Sequence, residues 1–244
     1  MQVLVMTSDN QYHCLDPFFH LWQKYYPEPV KFVICGFTPI DDDRFYSIGK
    51  FADYPTRCWS DALLKVLDEV ADDVFMLMLG DYWLVRTVDA LAVQMAYDYM
   101  RQFEYVIKFD LTTERLFADG GGKYLFGYNT YSTLGYLDLI KSDHGSMYHL
   151  SLWGGLWRRD LLRKVLVEGE TAQQIEINGT GRLSQYGDKM LVLGTRQAPM
   201  KHVNVIQRGE WSNDPMTGLP ALNPDDLKEL KKLGYLQNHR PGNI

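Results

Sequence analysis

Short apolar runs alternate with amphipathic stretches along the chain, and most runs end in a polar or glycine-bearing turn. Val3–Met6 is such a run, closed by Thr7, Ser8, Asp9 and Asn10, and it predicts a buried strand feeding a polar loop. Asp16-Pro17 then opens a helix, with Phe18, Phe19, Leu21, Trp22 and Tyr25 at helical spacing and Pro27 and Pro29 as stops. Lys31–Cys35 predicts a second buried strand, ended by Gly36. This β-α-β opening implies a parallel pair joined by a crossover helix on one face. Residues 39–57 hold Pro39, Asp41-Asp42-Asp43, Gly49 and Pro55 and predict a long irregular segment, which in compact domains is often functional. Ser60 and Asp61 are N-cap candidates for a helix through Leu63, Leu64, Val66 and Leu67. Val74–Leu79 is apolar throughout and predicts a central parallel strand, which ends abruptly at Gly80-Asp81-Tyr82-Trp83.

Downstream, the pattern predicts a long helix over 88–103 and a strand over 105–109. Residues 110–150 read as mixed, with short strands on either side of a flexible Gly120-Gly121-Gly122 turn. Leu161, Leu162, Val165 and Leu166 give helical periodicity across Leu156–Val167. Late strands are expected over Met190–Leu193 and Val203–Ile206. Pro224-Asp225-Asp226 opens a final helix through Leu230, with Gly234 as its stop. No repeat and no linker divides the 244 residues. The expectation is a single α/β domain with a mixed, mostly parallel sheet flanked by helices.

Apolar residues at 46% and charged residues at 23% suit a globular domain with a full core. The net charge of −6 disfavours whole-molecule steering toward a phosphate backbone. Aromatics reach 14%, enough to fill a core and also to line a cleft for bases or sugar faces. Cys14, Cys35 and Cys58 show neither zinc-site nor disulfide spacing, so a reducing, cytoplasmic setting is expected. The first residues lack a basic flank and turn polar at Thr7, unlike a signal peptide. No apolar run approaches the roughly 18–20 residues of a membrane helix.

The most informative feature is an apolar strand ending in an acid flanked by aromatics, Leu77-Met78-Leu79-Gly80-Asp81-Tyr82-Trp83. Ligands of open α/β sheets sit at the carboxyl ends of strands, and a carboxylate there can hold a divalent cation that neutralises a diphosphate. The competing reading is an Asp that caps the turn. Gly120-Gly121-Gly122-Lys123 is not a phosphate-binding P-loop, and neither a GxSxG elbow nor an HExxH pair occurs.

The β-α-β start, the helix opening Cys58-Trp59-Ser60-Asp61 and the strand ending Asp81-Tyr82-Trp83 together resemble glycosyltransferases of the GT-A fold. The likeness is to a bacterial and phage subgroup whose metal motif is an acidic pair followed by Tyr and Trp or Phe. A later stretch agrees: Leu152-Trp153-Gly154-Gly155-Leu156-Trp157-Arg158-Arg159, then Gln174-Ile175-Glu176, where the subgroup has a Trp-containing helix start and an aromatic-x-Glu. The resemblance covers roughly residues 1–210. It implies a nucleotide-binding half over about 1–110, an acceptor half over about 111–210 and a C-terminal helical tail over about 211–244.

Carried onto this sequence, the resemblance makes Thr7, Ser8 and Asp9 donor contacts at the end of the first strand. Trp59 and Asp61 are expected on the nucleoside, Arg57 on a phosphate, and Tyr82 beside the donor. Asp81 and His202 are the implied holders of Mn²⁺ or Mg²⁺, and Glu176 is the implied catalytic base of an inverting transfer. Trp153, Trp157 and Arg158 are the implied acceptor contacts. The donor is a nucleotide-diphosphate sugar, and the acceptor is a glycan or a hydroxymethylated base in DNA. Position 80 is Gly where the family has an acid, and position 174 is Gln where an aromatic is usual. The motif therefore keeps one carboxylate, which leaves two expectations open: a weakly bound ion supported mostly by the diphosphate, or a metal-independent site. Two other classes remain: a nucleotidyltransferase, against which the absence of Gly, Lys and Arg from Thr7–Gln11 argues, and a degenerate sugar- or nucleotide-binding module, which Gly80 favours.

Overall fold

The computed structural model describes residues 1–26, 28–54, 59–113, 130–207 and 209–236. Strands β1 (Gln2–Met6), β2 (Lys31–Gly36) and β4 (Val74–Leu79) form where the apolar runs lie. Helix α1 (Leu15–Tyr25) joins β1 to β2, and α2 (Trp59–Glu69) precedes β4. β3 (Phe45–Ser47) extends the edge beside β2, so the segment read as irregular over 39–57 contributes a short parallel strand. β5 (Tyr82–Leu84), α3 (Ala90–Gln102), β6 (Val106–Asp110), β7 (Thr130–Leu134) and β8 (Leu137–Lys141) follow. Next come β9 (Gly155–Arg158), α4 (Arg159–Val165), α5 (Ala172–Ser184) and β10 (Leu191–Thr195). The chain continues through β11 (His202–Asn204), β12 (Ile206–Gln207), β13 (Glu210–Trp211) and α6 (Pro224–Lys232).

One sheet of nine strands, ordered β3-β2-β1-β4-β9-β6-β10-β8-β7, runs through the molecule. All but β8 and β9 point the same way, so the sheet is mixed and mostly parallel, flanked by helices in a Rossmann-like layout. Alternation along the strands separates two cores, because successive side chains of a strand leave opposite faces. Val3, Val5, Met76 and Met78 pack with Phe18, Leu21 and Trp22 of α1 and Ala92 and Ala96 of α3. Leu4, Met6, Phe75 and Leu77 pack with Leu63 and Val66 of α2, Leu162 of α4 and Ile175 of α5. Two-faced burial explains why β1 and β4 read as unbroken apolar runs.

The periodicity over Leu156–Val167 resolves differently from the expected helix. Gly155–Arg158 is a strand inserted antiparallel between β4 and β6, and the helix begins only at Arg159. Gly155 permits the insertion, since a Cβ there would lie 2.8 Å from the Phe109 carbonyl oxygen. Ser60 and Asp61 lie inside α2 and do not cap it. Ser60 Oγ instead accepts from Glu170 N at 2.9 Å, and Asp61 Oδ2 accepts from Gly169 N at 2.8 Å. The C-terminal helix is anchored to α1, where Asp226 accepts from Lys24 Nζ at 2.6 Å and from the Tyr25 hydroxyl. No helix among the described residues is long and apolar enough to cross a membrane. The Gly120-Gly121-Gly122 turn, Arg57 and Cys58 fall outside the described residues.

Candidate active site

β1 hydrogen-bonds to β2 on one side and β4 on the other, so the chain direction of the sheet's build-up reverses there. At such a switch point the loops leaving adjacent strands diverge and open a crevice. A cleft of about 300 Å³ occupies it, lined by Met6, Thr7 and Ser8 after β1, Leu79 and Asp81 after β4, and Phe37, Phe51, Tyr54 and Trp59 on its aromatic wall. The wall is braced by its own contacts. Phe37 meets Phe51 edge-on with centroids 5.1 Å apart and Tyr54 at 5.6 Å. The Tyr12 hydroxyl accepts from Phe37 N at 2.9 Å and donates to Thr38 O at 2.8 Å.

Asp81 closes the cleft. It is 6% exposed, and Gln11 Nε2 donates to its Oδ2 at 3.4 Å. Burial away from water disfavours the charged form and pushes its carboxyl up to about 6, only partly offset by a backbone hydrogen bond. Thr7 Oγ1 beside it is buried with no hydrogen-bond partner among the described residues. Gly80 is fitted closely: a Cβ there would stand 3.3 Å from both Thr7 Oγ1 and Leu15 Cδ2. A larger residue at position 80 would press on Thr7 and Leu15 and require them to give by a few tenths of an ångström.

A second group lies on the β5–β11 ribbon. Pairing sets His202 opposite Leu84 and Asn204 opposite Tyr82. The His202 ring lies flat on Tyr82, with centroids 4.6 Å apart and planes at 12°, and Trp153 leans on both at 5.1 and 5.8 Å. Both His202 ring nitrogens are buried without a hydrogen-bond partner among the described residues. Burial pushes its pKa down to about 3, and the positive charge of Lys108 acts in the same direction, so the imidazole is neutral. Glu176, on the first turns of α5, accepts from Leu152 N at 2.8 Å. Desolvation holds its carboxyl above the ordinary value, opposed by that amide, by Lys108 and by Ser151.

The residues singled out from the sequence therefore divide. Thr7, Ser8, Trp59 and Asp81 line one cleft, and Tyr82, Trp153 and His202 form one aromatic group. Asp9 is engaged elsewhere, because its two carboxylate oxygens accept from Thr38 N at 3.0 Å and Thr38 Oγ1 at 2.6 Å. Asp61 ties α2 to the loop before α5. Trp157 and Arg158 are corrections. Trp157 has no exposed surface and belongs to the core of the α2 face. Arg158 sits at the far end of the sheet opposite Val74, donating to the carbonyls of Met100, Phe103 and Val106. An antiparallel strand carries its first residues toward the cleft end and its last away from it, which separates Trp153 from Arg158.

Gln11, Phe37, Phe51 and Tyr54 of the cleft, and Lys108, carry no motif that singles them out in the sequence. A signal for Lys108 existed, since a lone cation in the otherwise apolar run Tyr105–Phe109 is costly unless paired. The loop aromatics carry no comparable local signal.

No protein-family model matches the chain, and no curated protein matches it. Among solved structures the chain is similar to two of the galactosyltransferase LgtC, one an active-site mutant and one in complex with donor and acceptor sugar analogues. Their TM-scores are 0.41 and 0.40, with 13% and 14% identity over 67% of this chain. The match spans 59% and 60% of the LgtC chains, so this chain corresponds to about three fifths of their length. A cytidylyltransferase from Leptospira borgpetersenii serovar Hardjo-bovis is similar over 97% of this chain and 96% of its own, with a TM-score of 0.44 and 8% identity.

Proposed function

We propose that the protein is a nucleotide-sugar-dependent glycosyltransferase that moves a sugar from a nucleotide-diphosphate donor to a hydroxyl acceptor. The observation that carries this reading is the cleft at the β1–β4 switch point, walled by Phe37, Phe51, Tyr54 and Trp59 and closed by the buried Asp81. Flat rings suit a nucleobase, and a poorly partnered carboxylate at the end of the cleft suits the cation-bearing diphosphate that follows it.

Glu176 is the base in this reading. The acceptor oxygen attacks the anomeric carbon, the bond from that carbon to the diphosphate oxygen breaks, and its electron pair leaves with the nucleoside diphosphate. The acceptor's proton passes to the Glu176 carboxylate, and direct attack inverts the anomeric centre. The Leu152 amide orients the carboxylate, and burial raises its basicity. The orphaned nitrogens of neutral His202 and the weakly partnered Asp81 are donors of the kinds that divalent ions take, whereas no group of three His, Cys, Asp or Glu side chains among the described residues could hold one unaided. Asp81 would meet Mn²⁺ or Mg²⁺ together with the diphosphate, and the ion would neutralise the leaving group's charge.

The nucleotidyltransferase alternative is weakened by the loop after β1, since Thr7–Gln11 holds no Gly, Lys or Arg to cradle a triphosphate. A binding module remains a distinct outcome. A thermal-shift panel of nucleotide sugars with and without Mn²⁺, followed by product detection, tests the reading, since a ligand of the folded state raises apparent stability. Stabilisation by a nucleotide diphosphate and its sugar, with slow donor hydrolysis lacking acceptor, is expected. Stabilisation without any turnover would leave a binding module, and stabilisation by a nucleoside triphosphate alone would favour nucleotidyl transfer.

A further inference from the structure

Lys108 is a fully buried ammonium in the middle of the sheet. Its Nζ lies 2.5 Å from Asp110 Oδ1, donates to Ser151 O at 2.6 Å and stands 5.0 Å above the Trp157 ring. A salt bridge is a poor reason by itself to bury such a pair, because desolvation offsets much of the attraction. What Lys108 holds is more specific. Ser151 is followed by Leu152, whose amide donates to Glu176, and by Trp153, whose ring packs on Tyr82 and His202. One side chain on β6 thus fixes the backbone that serves both the carboxylate and the aromatic group.

We infer that Lys108 is a positioning residue: by anchoring the Ser151 carbonyl it sets the Leu152 amide, and with it the Glu176 carboxylate, where the acceptor's proton is taken. The role rests on the proposed reading of Glu176 as the base. Among the described residues, few charges act on Glu176. Lys108 faces it from β6, with Asp110 as that cation's counter-ion, while Glu170, just before α5, is occupied by Arg182 at 2.6 Å and by Asn178 at 2.9 Å. Lys108 therefore favours the ionised form of Glu176, against the desolvation that raises it.

Lys108→Met alone takes the adjacent cation from the buried Asp110, so Lys108→Met/Asp110→Asn is the paired variant, with Lys108→Arg as the conservative one. In the full-length protein the double variant is expected to melt as a cooperative unit and to bind donor normally. Its turnover should fall by about 10²-fold, the scale of a roughly 1 Å misplacement of a reacting group. The acid limb of its rate profile should move to higher pH, and Lys108→Arg should keep that limb near its wild-type position. A carbon-detected NMR titration of Glu176, assigned with Glu176→Gln, reads the same shift without any turnover. If no donor is turned over by the wild type, the function fails while this titration still judges Lys108. An unchanged Glu176 titration in the double variant, or turnover lost only in step with donor binding or folding, overturns the inference.

Discussion

Gln11 donates from Nε2 to Asp81 Oδ2 at 3.4 Å, and this single long contact joins the loop after β1 to the loop after β4 across the mouth of the cleft. A carboxylate so thoroughly buried would ordinarily carry more partners. Its free-state environment is thus unfavourable to the charge, as expected of a group arranged for a ligand and not for the empty fold.

Asp81→Asn is therefore expected to separate activity from stability. Loss of the charge beside the diphosphate should abolish transfer, a cost of several kcal/mol in the transition state. The sign for stability runs the other way. The folded carboxyl titrates at about 6 against an ordinary 3.8, so the group favours folding below about pH 4 and loses that contribution as pH rises through about 6. Above that pH the ionised side chain costs up to about 3 kcal/mol, and Asn should recover part of it. Thermal melts of both proteins from pH 3.5 to 8 check this: the variant's advantage should grow with pH. Near-wild-type activity at saturating donor would remove Asp81 from the mechanism.

Metal binding should be conditional on the nucleotide. Asp81 is the only carboxylate lining the described cleft, and the packing around Gly80 leaves little room for another. Calorimetry of Mn²⁺ against the free protein should give little heat, and the same titration with nucleoside diphosphate present should show binding. A tight stoichiometric site without nucleotide would contradict the assignment.

Glu176→Gln should cut turnover by about 10²–10⁴-fold with donor affinity unchanged, because a base touches the acceptor and not the nucleotide. The wild-type rate should fall as pH drops through the raised Glu176 pKa, which burial sets above the ordinary carboxylate value of 4.5. Steady-state kinetics across pH, with donor binding measured separately, reads both effects. Equal losses in donor binding and turnover would make Glu176 a structural or donor residue.

The two tryptophans of the same segment should behave oppositely. Trp157→Ala removes a side chain with no exposed surface from the core of the α2 face and should cost about 3–5 kcal/mol of stability. Trp153 is half-buried against Tyr82 and His202, so Trp153→Ala should cost less stability and alter acceptor use. Denaturant melts and acceptor kinetics on both variants separate core from site.

The strands β1 and β4 were legible in the sequence because burial on both faces leaves a continuous local signature, and Val74–Leu79 is bounded identically in sequence and structure. Asp81 followed from that boundary, since the end of a central strand is where a parallel sheet presents its ligands. The fate of Trp157 and Arg158 did not. Gly155–Arg158 and the helix after it share one apolar pattern, and four residues cannot declare their period. Only the pairing of β9 between β4 and β6 decided which end of the strand met the cleft. Long-range pairing likewise assembled Phe37, Phe51, Tyr54 and Trp59 into one wall and buried Lys108 under Ser151. Local sequence determined which segments must hide from water, and the order in which those segments lie side by side determined which of their side chains meet.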